Sequence, residues 1–240
     1  MTEILFALVI AFSFFAQSLM GFGGGLLSIP LLSLFMPVQD AVTIVILYQF
    51  SMGMLIFKTH KQTGWQHIRR LIPAMVVGVI LGLVFLKYVP GDAVRLLLAA
   101  YIALHLLRTH TNIDPLKTII ERGGAWLSGL LGGVIQGTIG GGGPAFILYL
   151  KDKAKNSAEF RANVLAILFI SNIPRIAGSF AADFVTKDLI LLGLVAYPGF
   201  LLSLFLGQKL HDKIPQKTFF NIAEAVLAFA AISLIVKVIL

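Results

Sequence analysis

Cysteine is absent from all 240 residues. That excludes disulfides, thiolate metal sites and any mechanism using a protein thiol as nucleophile or carrier. Charge is scarce as well: 12% of the residues are Asp, Glu, Lys or Arg, about half the quarter usual in soluble domains. No His/Asp/Glu cluster has metal-ligand spacing, so neither a metal nor another cofactor is expected. His60 and His67 sit in one basic loop and read as solvated. A deep Ser/His or His/Glu arrangement is missing too, so an intramembrane enzyme finds little support. The first residues, Met1-Thr2-Glu3, offer neither a basic n-region nor a small-residue cleavage site. The first segment is therefore expected to stay in the mature protein.

What fills the chain is apolar: 58% of the residues, with a mean hydropathy of +0.93. Uncharged runs cover Ile4–Gln39, Ala41–Phe57, Leu71–Leu86, Ala125–Leu150 and Leu189–Gln208. A spanning helix needs about 20 mostly apolar residues. Runs repeated along nearly the whole length point to an all-α integral membrane protein, multi-pass in an inner or plasma membrane.

The chain also repeats itself. Gln17-Ser-Leu-Met-Gly21-Phe-Gly23-Gly24 matches Gln136-Gly-Thr-Ile-Gly140-Gly-Gly142-Gly143, and Gly78-xxx-Gly82 with Pro90 matches Ser203-xxx-Gly207 with Pro215. The matches keep their order, which favours duplication over chance. The expected organisation is a first membrane repeat at 1–108, a cytoplasmic connector at 109–122 and a second repeat at 123–240. Duplicated halves are common in secondary transporters.

The run Ile4–Gln39 would make a helix about 54 Å long, against a hydrocarbon core of ~30 Å. It is expected to break at Gly21–Gly25, because glycine is a weak helix former. The legs after the two glycine clusters, Leu26–Met36 and Pro144–Leu150, are short and read as re-entrant half-helices. If each half is such a hairpin plus three spans, one side of the membrane receives Lys58, Lys61, Arg69, Arg70, Arg108, Lys117, Arg122, Lys151, Lys153, Lys155, Arg161, Lys209, Lys213 and Lys217. The other side receives Lys87, Arg95 and Lys187, with Lys237 near the end. Eight full spans would divide the basic residues almost evenly. The positive-inside rule prefers the first arrangement. Three spans is an odd number, so the two repeats are expected to be inverted, with both termini outside. The net charge of +8 is then a matter of orientation, and no nucleic-acid partner is expected.

Broken backbone at membrane depth has to be buried in protein or line a wet cavity. A short helix starting there offers free N–H groups and its positive dipole end to an anion. Inverted repeats would bring two such tips together near the midplane. The candidate substrate-binding residues are therefore Gln17, Gly21, Gly23, Gly24, Gly25, Gln136, Gly140, Gly142, Gly143, Asn172 and Arg175. Pro144 suits a first helical position. Gly78 and Gly82 read instead as a helix-packing pair. Gln17 and Gln136 either bond a substrate oxygen or satisfy carbonyls freed by the break, and the sequence leaves both open. Arg175 lies 14 residues after Arg161 and 12 before Lys187, far from either interface. A charge so placed is costly and functional by default; the structural alternative is an ion pair with Glu224. Pro174 before it removes a helix hydrogen bond. Glu224 is the candidate for proton coupling.

Gly21-Phe-Gly23-Gly24-Gly25 with Pro30-Leu31-Leu32, and Gly137-Thr-Ile-Gly140-Gly-Gly142-Gly143, resemble the two signatures of the sulfite exporter TauE/SafE family, also called toluene sulfonate uptake permeases. Size, hydropathy and duplication extend the resemblance over nearly the whole chain. One departure is Tyr149, where a second-half counterpart of Pro30 would stand. The resemblance implies secondary transport of a small sulfur oxyanion or organosulfonate, such as sulfite or sulfoacetate. A passive anion channel using the same tips is the alternative. The partners expected are the small anion and the lipid bilayer; oligomeric state and transport direction are not legible.

Overall fold

The computed structural model describes residues 2–20, 23–57, 63–111, 115–210 and 216–239. They form the helices α1 (Thr2–Met20), α2 (Gly24–Leu32), α3 (Val38–Phe57), α4 (Trp65–Tyr88), α5 (Gly91–His110), α6 (Pro115–Ile139), α7 (Gly143–Leu150), α8 (Ser157–Ala181), α9 (Lys187–Leu210) and α10 (Gln216–Ile239). No strand occurs among the described residues. Each half reads long, short, long, long, long. Gly21 lies outside the described residues, as do Lys58, Lys61 and Lys213 from the basic loops.

The helix breaks fall at glycines. The first apolar run stops being one helix between Met20 and Gly24, and Gly23 has φ 101° there. That left-handed conformation is one a side chain resists. α6 is interrupted at Gly124 (φ 57°, ψ −139°), so residues 115–123 form a short helix of their own. α2 and α7 have nine and eight residues, about 14 and 12 Å, too short to cross a hydrocarbon core. Val38–Leu55, Trp65–Tyr88, Ser157–Ala181, Lys187–Leu210 and Asn221–Ile239 are long and apolar enough to do so. α4 shows what surrounds them. Its Ala74, Met75, Gly78, Val79, Gly82 and Leu83 are buried, while Val77, Ile80, Leu81, Val84 and Phe85 are exposed. A helix apolar on both faces, with one face uncovered, is built for lipid rather than water.

The chain divides into two compact units, and each draws helices from both halves of the sequence. Unit 1 comprises Met1–Val45, Val89–Asn112 and Asp183–Leu240. Within it α1 packs on α9, α5 packs on α10, and α2 lies against α1, α5 and α10. Phe14 meets Phe200 edge-on at 5.0 Å between ring centres, and Ser18 Oγ donates to the Leu204 carbonyl at 3.1 Å. With Ala11 beside Gly199 and Ser18 beside Gly207, α1 and α9 run parallel.

Unit 2 comprises Ile46–Tyr88 and Ile113–Ala182. Here α4 runs parallel to α6, and glycine faces backbone throughout. A methyl group at Gly78 would lie 3.0 Å from Gly133 Cα, and one at Gly82 would lie 2.9 Å from Gly137 Cα. Gly78 and Gly82 thus serve close helix packing. The first helix of each half packs on the fourth helix of the other half, once in each unit.

Candidate anion site

In unit 2 the second glycine cluster forms the turn between α6 and α7. Gly140 takes φ 66°, which turns the chain out of α6. Gly142 is the N-cap of α7, and Pro144 stands in its first turn. Gly140, Gly142 and Gly143 are all buried. Free N–H groups at such a turn need acceptors, and one comes from α6 itself. Gln136, 1% exposed, accepts the Gly142 N–H at its Oε1 over 2.9 Å. Its Nε2 donates to Asn172 Oδ1 on α8 over 3.0 Å. Gln136 therefore satisfies a freed N–H, not a freed carbonyl.

Arg175 lies three residues after Asn172, on the same face of α8. It is fully buried, the largest such side chain among the described residues. Pro174 sits inside a helix that continues through it from Ser157 to Ala181. Arg175 Nη1 donates to Gln49 Oε1 on α3 over 3.1 Å. Gly143 comes up against Leu168, one turn before Asn172, and a methyl added at Gly143 would meet nothing closer than 3.8 Å. Unit 2 thus holds two bonded carboxamides at one buried helix N-terminus, with the Arg175 guanidinium one turn further along α8 and bonded to Gln49. This donor-rich set suits an oxyanion, for which guanidinium and backbone N–H groups are the usual ligands.

Unit 1 carries the corresponding turn between α1 and α2. Gln17 is 7% exposed, and Gly24 sits against its carboxamide. Gln17 Oε1 has no hydrogen-bond partner among the described residues. Gly24 and Gly25 are buried in the first turn of α2. At its other end, α2 offers the Ser33 and Leu34 carbonyls to Lys237 Nζ of α10, at 3.4 and 2.6 Å. A cation there complements the negative end of the short helix.

A sequence profile for the family described as "Sulfite exporter TauE/SafE" matches residues 5–234. The chain belongs to that family. As a TauE/SafE protein it is a multi-pass membrane transporter of the sulfur-anion class, with lipid and a small anion as its partners. No curated protein and no solved structure shows a significant match.

The structure of this TauE/SafE chain also adds partners that the sequence did not indicate. Gln49 is the partner of Arg175, and the one available signal was a carboxamide inside the uncharged run Ala41–Phe57. Glu224 is paired with His110, 3.1 Å from Oε2 to Nε2, a histidine at the end of α5 that the sequence left without a role. Arg175 and Glu224 therefore each have a partner inside their own unit. No cluster able to hold a metal ion occurs among the described residues.

Proposed function

We propose that this TauE/SafE protein is a secondary transporter that moves sulfite, sulfoacetate or a similar organosulfonate across an inner or plasma membrane by alternating access. The substrate is bound at the α6–α7 turn by Arg175, Asn172 and Gln136, with Gly140, Gly142 and Gly143 allowing its close approach. Gln17, Gly23, Gly24 and Gly25, with Gly21, form the matching turn of the other repeat. The observation that carries this reading is Arg175, fully buried in a membrane-crossing helix, three residues from the network that holds the α7 N-terminus. A charge placed so deep in a spanning helix is costly and functional by default, and the planar guanidinium suits an oxyanion.

Two further parts belong to the same proposal. The repeats, 1–108 and 123–240 about a connector at 109–122, insert in opposite orientations. Their short helices α2 and α7 are re-entrant legs, and the basic loops face the cytoplasm. Cysteines placed singly at Lys61, Lys153 and Lys213 would then all be shielded from an impermeant external reagent in intact cells. Labelling at Lys153 with protection at Lys61 would mean full spans in place of re-entrant legs.

Tracer exchange in proteoliposomes tests the transport reading itself. Labelled sulfite on one side should exchange for unlabelled sulfite on the other, saturably and faster than net flux. Non-saturating flux that follows the electrical gradient would make the protein a passive anion channel.

A further inference from the structure

In unit 2, where α4 and α8 both begin, the chain leaves an open cleft of about 450 Å³, a size ordinary for small-ligand sites. Thr63, Gly64 and Trp65 line one side, and Lys155, Asn156 and Glu159 the other. None of these residues belongs to the anion site. Asn156 caps α8, its Oδ1 accepting the Glu159 N–H over 2.8 Å. Glu159 reaches back, and its Oε2 accepts the Lys155 N–H over 2.8 Å. This reciprocal cap fixes a carboxylate at the cleft wall, although Glu159 is only 9% exposed. Its other oxygen, Oε1, lies against Gly64, where an added methyl group would come 2.5 Å from it. Asn163, fully buried one turn further along α8, accepts the Gly64 N–H at Oδ1 over 2.7 Å. Its Nδ2 has no hydrogen-bond partner among the described residues and stands 3.3 Å from the same methyl position.

The charges of the cleft are unmet. Neither Lys155 nor Glu159 has an ion-pair partner among the described residues. A nearly buried carboxylate is costly without one, and an ammonium that donates to it is the strong complement. Lys155 and the Asn163 Nδ2 call instead for an anionic oxygen. One ligand meets both demands if it is a zwitterion with a primary ammonium.

The setting selects its source. α4 and α8 are both long and apolar enough to cross a membrane, and the cleft lies at their first residues, which is headgroup level for a spanning helix. Trp65, 39% exposed at the start of α4, is a residue type enriched at that level. We propose that the cleft binds the phosphoethanolamine headgroup of a membrane phospholipid, its ammonium on Glu159 and its phosphate on Lys155. The inference rests on the membrane setting alone and is independent of the anion carried. Phosphatidylcholine has no ammonium N–H to give Glu159. Phosphatidylglycerol has no cation, although the exposed Arg69, Arg70, Lys151 and Lys153 attract it from a distance.

Native mass spectrometry of the purified full chain, equilibrated with equal amounts of the three lipids, tests the assignment. The wild type should retain phosphatidylethanolamine about tenfold over each of the others, the worth of one hydrogen bond to a charged group. Glu159→Gln keeps an oxygen for the Lys155 N–H, so the cap survives, and its preference over phosphatidylcholine should fall to near one. Lys155→Gln, on an exposed residue, keeps the test alive should Glu159→Gln fail to fold. It should lower retention of phosphatidylethanolamine and phosphatidylcholine alike and leave their ratio unchanged. Equal retention of those two lipids by the wild type would place the cation on the Trp65 ring and overturn the Glu159 contact. A wild type that prefers phosphatidylglycerol would assign binding to the basic surface and overturn the cleft.

A second measurement separates lipid from soluble ligand. Trp126→Phe leaves Trp65 as the sole tryptophan. Its emission should differ between phosphatidylethanolamine and phosphatidylcholine nanodiscs, and this difference should vanish in Glu159→Gln. Emission that responds to free phosphoethanolamine and not to the lipid would make the ligand a soluble zwitterion and overturn the lipid assignment.

Discussion

The two glycine turns begin from matching sequence and end in different hydrogen-bond states. Gln136 in unit 2 is bonded at both ends of its amide, to Gly142 N–H and to Asn172. Gln17 in unit 1 keeps a buried Oε1 without a partner among the described residues. Backbone geometry supplies a reason. Gly142 is right-handed (φ −65°), and the left-handed residue of that turn is Gly140. In unit 1 the residue matching Gly142 is Gly23, and it is itself left-handed. Its peptide is rotated relative to that of Gly142, and its N–H makes no bond to Gln17. Unit 2 also adds Asn172 and Arg175 from α8. Two turns of matching sequence thus stand in different settings, and the one in unit 2 has its glutamine bonded at both ends of the amide. The helix pairs differ too: glycines face backbone along α4–α6, whereas α1–α9 has Gly207 against Ser18 at one level and Phe14 against Phe200 at another.

The largest expected difference between the units lies in those helix pairs. Gly133→Leu drives a side chain into the backbone of α4 at Gly78 and Val79 and should destabilise by about 3 kcal/mol or prevent assembly. Gly199→Ala meets only Ala11, at 4.0 Å, and should stay within about 0.5 kcal/mol of wild type. Thermal unfolding in detergent reads both. Equal losses would erase the distinction between the pairs.

A middle-sized effect separates the glutamines. Gln136→Ala strands the Gly142 N–H and removes the partner of Asn172, a loss of about 1–3 kcal/mol. Gln17→Ala breaks no hydrogen bond at Oε1 among the described residues and should cost at most about 0.5 kcal/mol. A Gln17→Ala protein as unstable as Gln136→Ala would show that unit 1 holds its glutamine as firmly as unit 2.

The smallest effect is expected at Gly143. A methyl there meets nothing nearer than 3.8 Å, so Gly143→Ala should unfold with the wild type. It should still weaken sulfite binding about tenfold, ~1.4 kcal/mol, if an anion closes on that backbone. Isothermal titration with sulfite measures this, and unchanged affinity would move the anion away from the α7 tip.

Much of the fold was legible because it is set by local physics. Apolar runs too long for one span fixed the places where helices end, and Gly23 and Gly140 show why: the turns need φ values that side chains resist. Arg175 stood out because no neighbouring interface was within reach of its side chain. Its partner Gln49 did not, because hydropathy reports burial and says nothing of which buried polar groups meet across 126 residues. His110 was hidden for the opposite reason: a histidine beside a basic connector looks solvated, and only the packing of α5 on α10 brings it to Glu224. The exchange of first and fourth helices between halves is a long-range property that no local pattern carries.

The central claim is that Arg175 faces substrate in unit 2, and binding by thermal shift tests it most directly. Sulfite should raise the unfolding temperature of the wild type and leave Arg175→Gln unmoved. Arg175→Lys should show a reduced shift, because an ammonium lacks the planar two-pronged contact with an oxyanion. Glu224→Gln should not restore binding to Arg175→Gln, since Glu224 is held by His110. Equal stabilisation of wild type and Arg175→Gln by the same concentration of sulfite would contradict the account, and would return Arg175 to a structural bond with Gln49.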